Sequence, residues 1–189
     1  MGMKQPYHHG DLRRALLAAA VEAITQVGPA AVSLRDLARR TGVSHAAPTH
    51  HFGDKAGLLT AVAVEGFELL AVELERAGDD LLEVGLAYVR FAAGHRAHFE
   101  VMFQPGLYHA DAPEVLAARA RTRAALSGGL RTVAAGKGEL AEAPLAAWSI
   151  VHGFASLWLA GALPGDLDPD PGEAARPVIR MLFERRTDG

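Results

Sequence analysis

Residues 33–59 read SLRDLARRTGVSHAAPTHHFGDKAGLL and carry the strongest structural signal in the chain. Ser33, with Asp36 three positions later, forms a capping box at the start of a helix. Gly42 follows the last turn of that helix, where a residue in the left-handed conformation commonly ends it. Ser44 is a favourable N-cap for a second helix. Two short helices around a glycine turn predict a helix-turn-helix, the arrangement that places its second helix in the major groove of DNA.

The second helix is expected over residues 45–51, with Pro48 in its first turn. Phe52 is too large and apolar to remain exposed, so it should anchor the end of this helix in the core. Asp54 then caps the next helix, and Lys55 lies in its first turn, where the helix dipole disfavours a cation. A DNA phosphate beside Lys55 would account for that placement. The side chains expected to contact DNA are Arg35, Ser44, His45, Ala46, Thr49, His50 and Lys55.

Two segments resemble the N-terminal domain of the TetR family of transcriptional repressors. Residues 49–55, Thr-His-His-Phe-Gly-Asp-Lys, are similar to the family's Tyr-x-His-Phe-like segment and the lysine that follows it. Residues 7–17, Tyr-His-His-Gly-Asp-Leu-Arg-Arg-Ala-Leu-Leu, resemble the family's usual entry into its first helix. Thr49 stands where the family usually has a tyrosine whose hydroxyl reaches a DNA phosphate, and threonine keeps a hydroxyl with shorter reach. The resemblance implies a repressor that binds an operator.

The composition is that of a protein with a substantial core and no disulfides. Half of the 189 residues are hydrophobic and none is cysteine, so neither a disulfide framework nor a thiolate metal site is expected. No apolar run approaches the length of a membrane span, and the N-terminus is polar and contains histidines. These features favour a cytoplasmic protein with no membrane partner.

The formal charge of −3 is unevenly divided along the chain. Residues 1–60 contain seven Lys and Arg against four Asp and Glu, a net charge of +3. Twelve basic and eighteen acidic residues remain for 61–189, a net charge of −6. The basic excess therefore coincides with the helix-turn-helix, as neutralisation of DNA phosphates requires.

Helical periodicity without strand alternation continues through the rest of the chain, so the predicted fold class is all-α. The first helix is expected over 11–27, and a long helix over 54–76 follows the helix-turn-helix. Later helices are expected over 79–95, 96–104, 112–135, 143–162 and 173–186. These elements predict an N-terminal three-helix DNA-binding domain at 1–55 and a C-terminal helical ligand-binding and dimerisation domain at 56–189. The helix over 54–76 is shared between them.

Residues 143–162 predict a helix that is apolar nearly all round and must be covered on two sides. Its Trp148, His152 and Gly153 resemble the Trp-x-x-x-His-Gly segment of a subgroup of TetR regulators, and the resemblance implies dimerisation through the last two long helices. A core helix in a monomer is the alternative interpretation. The side chains expected at the interface of a homodimer are Val151, Ala155, Trp158, Leu159, Ile179, Leu182 and Phe183.

Aromatic, methionine and histidine side chains of the second domain are the candidates for an effector pocket. They are Phe91, His95, Phe99, Met102, Phe103, Tyr108, Trp148 and His152. His152 either faces that pocket or is a core histidine bonded to a backbone carbonyl. His95 and His98 are spaced for a shared metal, but only Glu100 supports them. We therefore expect a solvated or pocket-rim pair, and neither a metal nor a cofactor.

No arrangement of catalytic residues is evident, so we do not expect an enzyme. Residues 127–129, Ser-Gly-Gly, lack the context of a nucleophile elbow, and residues 136–138, Gly-Lys-Gly, lack the spacing of a phosphate-binding loop. The sequence predicts a homodimeric repressor that binds a double-stranded, palindromic operator and releases it on binding a small, largely apolar organic effector. The alternative is a helical sensor or interaction protein that kept the fold and does not bind an operator.

Overall fold

Every regular element in the described part of the chain is helical. The computed structural model describes the backbone over residues 9–134 and 143–181, and the side chains over 11–127 and 145–181. The helices are α1 His9–Val27, α2 Leu34–Thr41, α3 Ala46–Phe52, α4 Lys55–Ala77, α5 Leu81–Gly94, α6 Arg96–Met102, α7 Pro113–Ala134, α8 Ala143–Leu159 and α9 Pro171–Arg180. A short 3-10 helix, Pro105–Leu107, lies between α6 and α7. None of these helices is long and apolar enough to span a membrane. The all-α class predicted from the sequence is confirmed.

The helix α2 begins and ends as its sequence predicts. The Ser33 hydroxyl accepts a 3.1 Å hydrogen bond from the backbone N–H of Asp36. At the other end Gly42 has a φ of 68°, the left-handed conformation that glycine adopts without a steric penalty. Leu37 and Ala38 are buried on the inner face. The helices α1, α2 and α3 pack on one another in the three-helix arrangement expected of a helix-turn-helix.

The start of α3 differs from the predicted one. The N-cap position is His45 rather than Ser44, and no side chain caps it. Ser44 instead uses its backbone carbonyl, which accepts a 3.0 Å hydrogen bond from the N–H of Ala47. Pro48 has no N–H and occupies the third helical position, so a side chain that caps from His45 would have one amide fewer to bind. The prediction that Ser44 caps this helix is wrong.

The turn from α3 into α4 forms as predicted. Gly53 ends α3 with a φ of 76°, a backbone conformation that residues other than glycine rarely adopt. The Asp54 carboxylate accepts a 2.8 Å hydrogen bond from the N–H of Gly57 and so caps α4. Phe52 is buried, so it anchors the end of α3 in the core.

The chain divides into two compact units. The first unit comprises residues 1–66 and 97–116, and the second comprises residues 67–96 and 117–189. Consequently α4 contributes residues to both units, and residues 97–102 of α6 belong to the same unit as the helix-turn-helix. The domain bounds at 1–55 and 56–189 stay a prediction.

Two hydrogen bonds connect residues 97–116 to α4 within the first unit. The His98 ring nitrogen Nε2 lies 2.9 Å from Glu65 Oε2, and the backbone N–H of His109 donates to the Thr60 hydroxyl at 3.0 Å. Each bond joins residues more than thirty positions apart in the chain. Local sequence patterns therefore could not indicate that this segment packs with the helix-turn-helix.

Close packing of α5, α8 and α9 forms the core of the second unit. Gly85 on α5 permits this approach, because a Cβ atom at this position would lie 3.1 Å from Ile179 Cδ1 and 3.4 Å from Val151 Cγ1. Both of those side chains are buried. A larger residue at position 85 would force the helices apart.

The helix α9 begins two residues earlier than predicted. Asp170 caps it by accepting a 2.8 Å hydrogen bond from the N–H of Glu173, and Pro171 suits the first helical position because its fixed φ is already helical. The predicted end of this helix at 186 lies outside the described residues.

Candidate nucleic-acid interface

The outer face of α3 carries small and polar side chains. Ala46, Thr49 and His50 are exposed and lie three and four positions apart, so they share one face of the helix. Pro48 and Phe52 are buried on the opposite side and fix which face points outward. Six of the seven side chains expected at DNA are exposed, namely Arg35, Ser44, His45, Ala46, Thr49 and His50. Their contacts with DNA stay a prediction.

The seventh candidate, Lys55, is half-buried at the start of α4. Its ammonium group donates a hydrogen bond to the backbone carbonyl of Ala30. This bond uses one of the three donors of the ammonium group and holds the cation beside the N-terminus of α4. Such a position suits an anion, because the helix dipole and the ammonium charge have the same sign there.

Two further arginines of α2 are held by one carboxylate. Arg39 Nη2 lies 2.6 Å from Asp36 Oδ1, and Arg40 Nε lies 2.7 Å from Asp36 Oδ2. Hydrogen bonds from Arg39 and then Arg40 are the main causes that lower the pKa of Asp36. Arg40 also donates to Gln26 of α1 at 2.8 Å. These bonds fix the basic side chains on α2, although exposed pairs of this kind add little stability.

A buried tyrosine that the sequence analysis did not select joins α5 to α8. The hydroxyl of Tyr88 lies 2.9 Å from His152 Nδ1, and Trp148 Nε1 donates to the same hydroxyl at 3.4 Å. The sequence left two interpretations of His152 open, a side chain facing the pocket and a core histidine bonded to a backbone carbonyl, and the structure places the phenol of Tyr88 at its Nδ1. A tyrosine within an apolar helix could have indicated such a bond, since a buried hydroxyl needs a partner.

Burial affects the charge states of this pair. Indole nitrogen is only a donor, so the Tyr88 oxygen accepts a hydrogen bond from Trp148. In the 2.9 Å contact between Tyr88 and His152 Nδ1, the donor is set by the tautomer of His152. Burial lowers the pKa of His152, which agrees with a neutral ring, and burial also raises the pKa of Tyr88.

Two family models match the chain. Residues 16–62 match the model of bacterial regulatory proteins of the tetR family. Residues 81–182, more than half of the chain, match the model of the tetracyclin repressor-like C-terminal domain. The chain belongs to the TetR family.

Individual relatives agree with this assignment. The HTH-type transcriptional repressor Rv3405c of Mycobacterium tuberculosis is 36% identical over 84 residues, which are 44% of this chain and 45% of that repressor. The chain therefore matches less than half the length of this curated relative. A solved structure of a protein with unknown function from Rhodococcus sp. RHA1 is 35% identical with a TM-score of 0.78, covering 95% of this chain and 97% of that one. The TetR family transcriptional regulator PfmR from Thermus thermophilus is 26% identical with a TM-score of 0.66, covering 90% of this chain and 99% of that one.

The side chains expected to line an effector pocket of this TetR-family chain are divided between the two units. The second unit contains Phe91, His95, Trp148 and His152, and the first contains Phe99, Met102, Phe103 and Tyr108. Tyr108 is buried and donates a 2.8 Å hydrogen bond to the carbonyl of Met102. The role of these eight residues in effector binding stays a prediction.

The two histidines considered for a metal have separate contacts. The ring of His95 stacks on Phe91 with 4.9 Å between the centroids, whereas His98 contacts Glu65. Across the described residues, no group of three or more His, Cys, Asp or Glu side chains is placed to hold a metal ion.

The predicted dimer residues are partly interior to the subunit. Val151, Ala155 and Ile179 are buried by the chain itself, and Trp158 and Leu159 are half-buried. Leu182 and Phe183 lie outside the described residues. The large apolar side chains that remain exposed on α8 and at α9 and its C-cap are Leu145, Trp148, Leu157, Val178 and Met181. An interface that uses α8 and α9 would therefore be built on these exposed side chains.

A crevice of about 660 Å³ opens in the first unit beside the end of α3. Its walls combine the apolar Leu17 and Phe52 with the polar Asp54, Glu65 and His109. None of the eight effector candidates lines it. Its walls come from four separate parts of the chain, which is why no single sequence motif indicated it.

We expect His152→Gln to reduce the pH dependence of stability. Burial lowers the pKa of His152 below its ordinary value of 6.5. The folded protein therefore binds a proton at this ring less readily than the unfolded chain does. The free energy of unfolding should therefore fall as the pH decreases through 6.5 and level off below the folded pKa. Glutamine can accept a hydrogen bond from Tyr88 without titrating.

Urea unfolding at pH 7.5, 6.5 and 5.5 measures this effect. The decline between the first and last pH should be shallower in His152→Gln than in the wild type. An equal difference between the two proteins at every pH would contradict the role assigned to burial of His152.

Proposed function

We propose that this TetR-family protein is a ligand-responsive, DNA-binding transcriptional regulator, a homodimeric repressor that a small, largely apolar organic molecule releases from its operator. The observation that carries the proposal is the outward face of α3. Ala46, Thr49 and His50 are exposed there, while Pro48 and Phe52 are buried. This is the arrangement in which the second helix of a helix-turn-helix enters the major groove.

Charge supports DNA as the partner. The first sixty residues carry a net charge of +3 in a chain whose total is −3. Arg35 is exposed on α2, and Lys55 is held at the N-terminus of α4. Basic groups on the helices that precede and follow α3 in the chain suit phosphates that border a groove.

Exposed apolar side chains on α8 and at the end of α9 support a homodimer. Trp148 is 41% exposed, Leu157 48% and Met181 76%. Exposure of large apolar side chains to water is unfavourable in free energy, so their burial between subunits would stabilise a dimer. A two-fold axis through this surface would bury the same patch on both subunits. A two-fold dimer would in turn bind a palindromic operator, because half-sites repeat with the symmetry of the protein.

Release by an effector requires unequal affinity for two arrangements of the protein. A ligand that binds both arrangements equally shifts neither. Helix α4 contributes residues to both compact units, so we propose it as the element that transmits the change. The buried aromatic and methionine side chains Phe91, Phe99 and Met102 favour an apolar ligand.

Replacing Lys55 with alanine should weaken binding to every DNA sequence by a similar factor. Loss of one phosphate contact should also reduce the slope of log affinity against log salt by about one unit. The measurement is a salt titration of binding to a fragment of the protein's own promoter. Arg180→Ala, which removes an exposed cation from α9, is the control and should leave the slope unchanged. An unchanged affinity in Lys55→Ala would exclude its phosphate contact, and no binding by the wild type would favour a sensor that lacks an operator.

Replacing Leu157 with aspartate should convert the dimer into a folded monomer. The side chain is exposed in the subunit, so folding tolerates the change, but an unpaired charge buried between subunits costs about 3–5 kcal/mol. Leu116→Asp is the matched control, since Leu116 is 51% exposed and belongs to α7 rather than to α8 or α9. Light scattering at micromolar concentration should give a monomer mass for Leu157→Asp alone. A monomeric wild type would contradict the two-fold proposal.

An apolar effector should stabilise the protein and release DNA together. At a hundredfold excess over its Kd it should add about 2.7 kcal/mol to the free energy of unfolding. A thermal-shift screen of apolar compounds, sugars and divalent metals, followed by DNA-release assays of the hits, measures both effects. Release by metals or sugars alone would overturn the proposed ligand class.

A further inference from the structure

The helix α3 lacks the side chains that bind bases through paired or charged hydrogen bonds. Residues 44–52 contain no Arg, Lys, Asn, Gln, Asp or Glu. In the major groove, Arg and Lys select guanine, Asn and Gln select adenine, and the carboxylates accept from cytosine. None of these contacts is available to α3.

Its outer face carries two side chains with methyl groups, beside His50. Ala46 and Thr49 are both exposed and lie three positions apart on that face. Burial of Pro48 and Phe52 prevents the helix from presenting any other face. In the major groove, the methyl groups of alanine and threonine contact the C5 methyl of thymine, the one apolar group on the base edges there.

We propose that α3 selects its operator through thymine methyl groups, which Ala46 and Thr49 contact. The inference rests on the proposed DNA-binding function and adds the chemistry of base selection to it. Phosphate contacts position the protein without distinguishing sequences. Methyl contacts to thymine supply the distinction, and an operator half-site contains thymine where the two side chains meet the groove.

The probe is the duplex that the full-length protein itself selects from a random-sequence library. Each thymine of one half-site is replaced singly by deoxyuridine, which removes the C5 methyl and keeps every base-pairing group. Binding should weaken about four-fold at one or two thymines, the factor expected for burial of one methyl group. Replacement of the remaining thymines should leave the affinity unchanged.

Protein variants then assign each sensitive thymine to a side chain. Thr49→Ser keeps the hydroxyl and removes the methyl group. At one sensitive position, this variant should therefore have the same affinity for the duplex with thymine and for the duplex with deoxyuridine. Ala46→Gly should do so at another position, with circular dichroism confirming that the helix remains folded. His50→Ala is the matched control on the same face. This variant should keep the wild-type ratio of affinities for the thymine and deoxyuridine duplexes, even if its affinity for both changes.

The outcomes distinguish the proposal of thymine selection from the proposed DNA-binding function on which it rests. If the protein selects no duplex, the DNA-binding function itself is contradicted. If a duplex is selected but no deoxyuridine replacement weakens binding, DNA binding holds and thymine selection is overturned. Deoxyuridine effects that persist in both Thr49→Ser and Ala46→Gly would equally overturn it, because other groups would then contact the methyl.

Discussion

Burial of Phe52 at the end of α3 is the contact on which the candidate DNA-binding surface depends. The ring lies in the core, and the Arg13 guanidinium of α1 is 5.4 Å from its centroid. Gly53 follows with a positive φ, and α4 starts two residues later. The direction of α3, the exposure of its outer face and the start of the shared helix therefore all follow from one anchored side chain. Pro48, one turn earlier and also buried, removes the remaining rotational freedom of so short a helix.

Features that depend on neighbours three or four residues away could be predicted from the sequence. The cap at Ser33, the glycine stop at Gly42 and the cap at Asp54 all belong to this class. The same local reasoning failed at Ser44, because the helix begins one residue later than expected, with His45 at the N-cap position. A favourable residue type predicts a cap only when the helix starts directly after it.

Features that depend on distant residues could not be predicted in this way. Tyr88 and His152 are 64 positions apart, and His98 and Glu65 are 33 apart. Burial alone indicates that such polar groups have partners, but not which ones. The apolar pattern of α8 has the same limit. It predicts that two sides of the helix are buried, but it does not indicate which residues face the interior of the subunit. In the structure Val151 is buried and Leu157 is exposed.

The composition of α3 separates the determinants of stability from those of sequence selection. Pro48 and Phe52 hold the helix in place from inside, whereas Ala46 and Thr49 extend outward. Exposed substitutions away from caps and special backbone conformations usually change stability by no more than about 0.5 kcal/mol. The outer face can therefore change its preferred bases without disturbing the fold, provided that the cations that bind phosphate lie elsewhere. The cations proposed to bind phosphate meet this condition, because Arg35 lies on α2 and Lys55 on α4. In the proposed complex, affinity and selectivity are therefore carried by different helices.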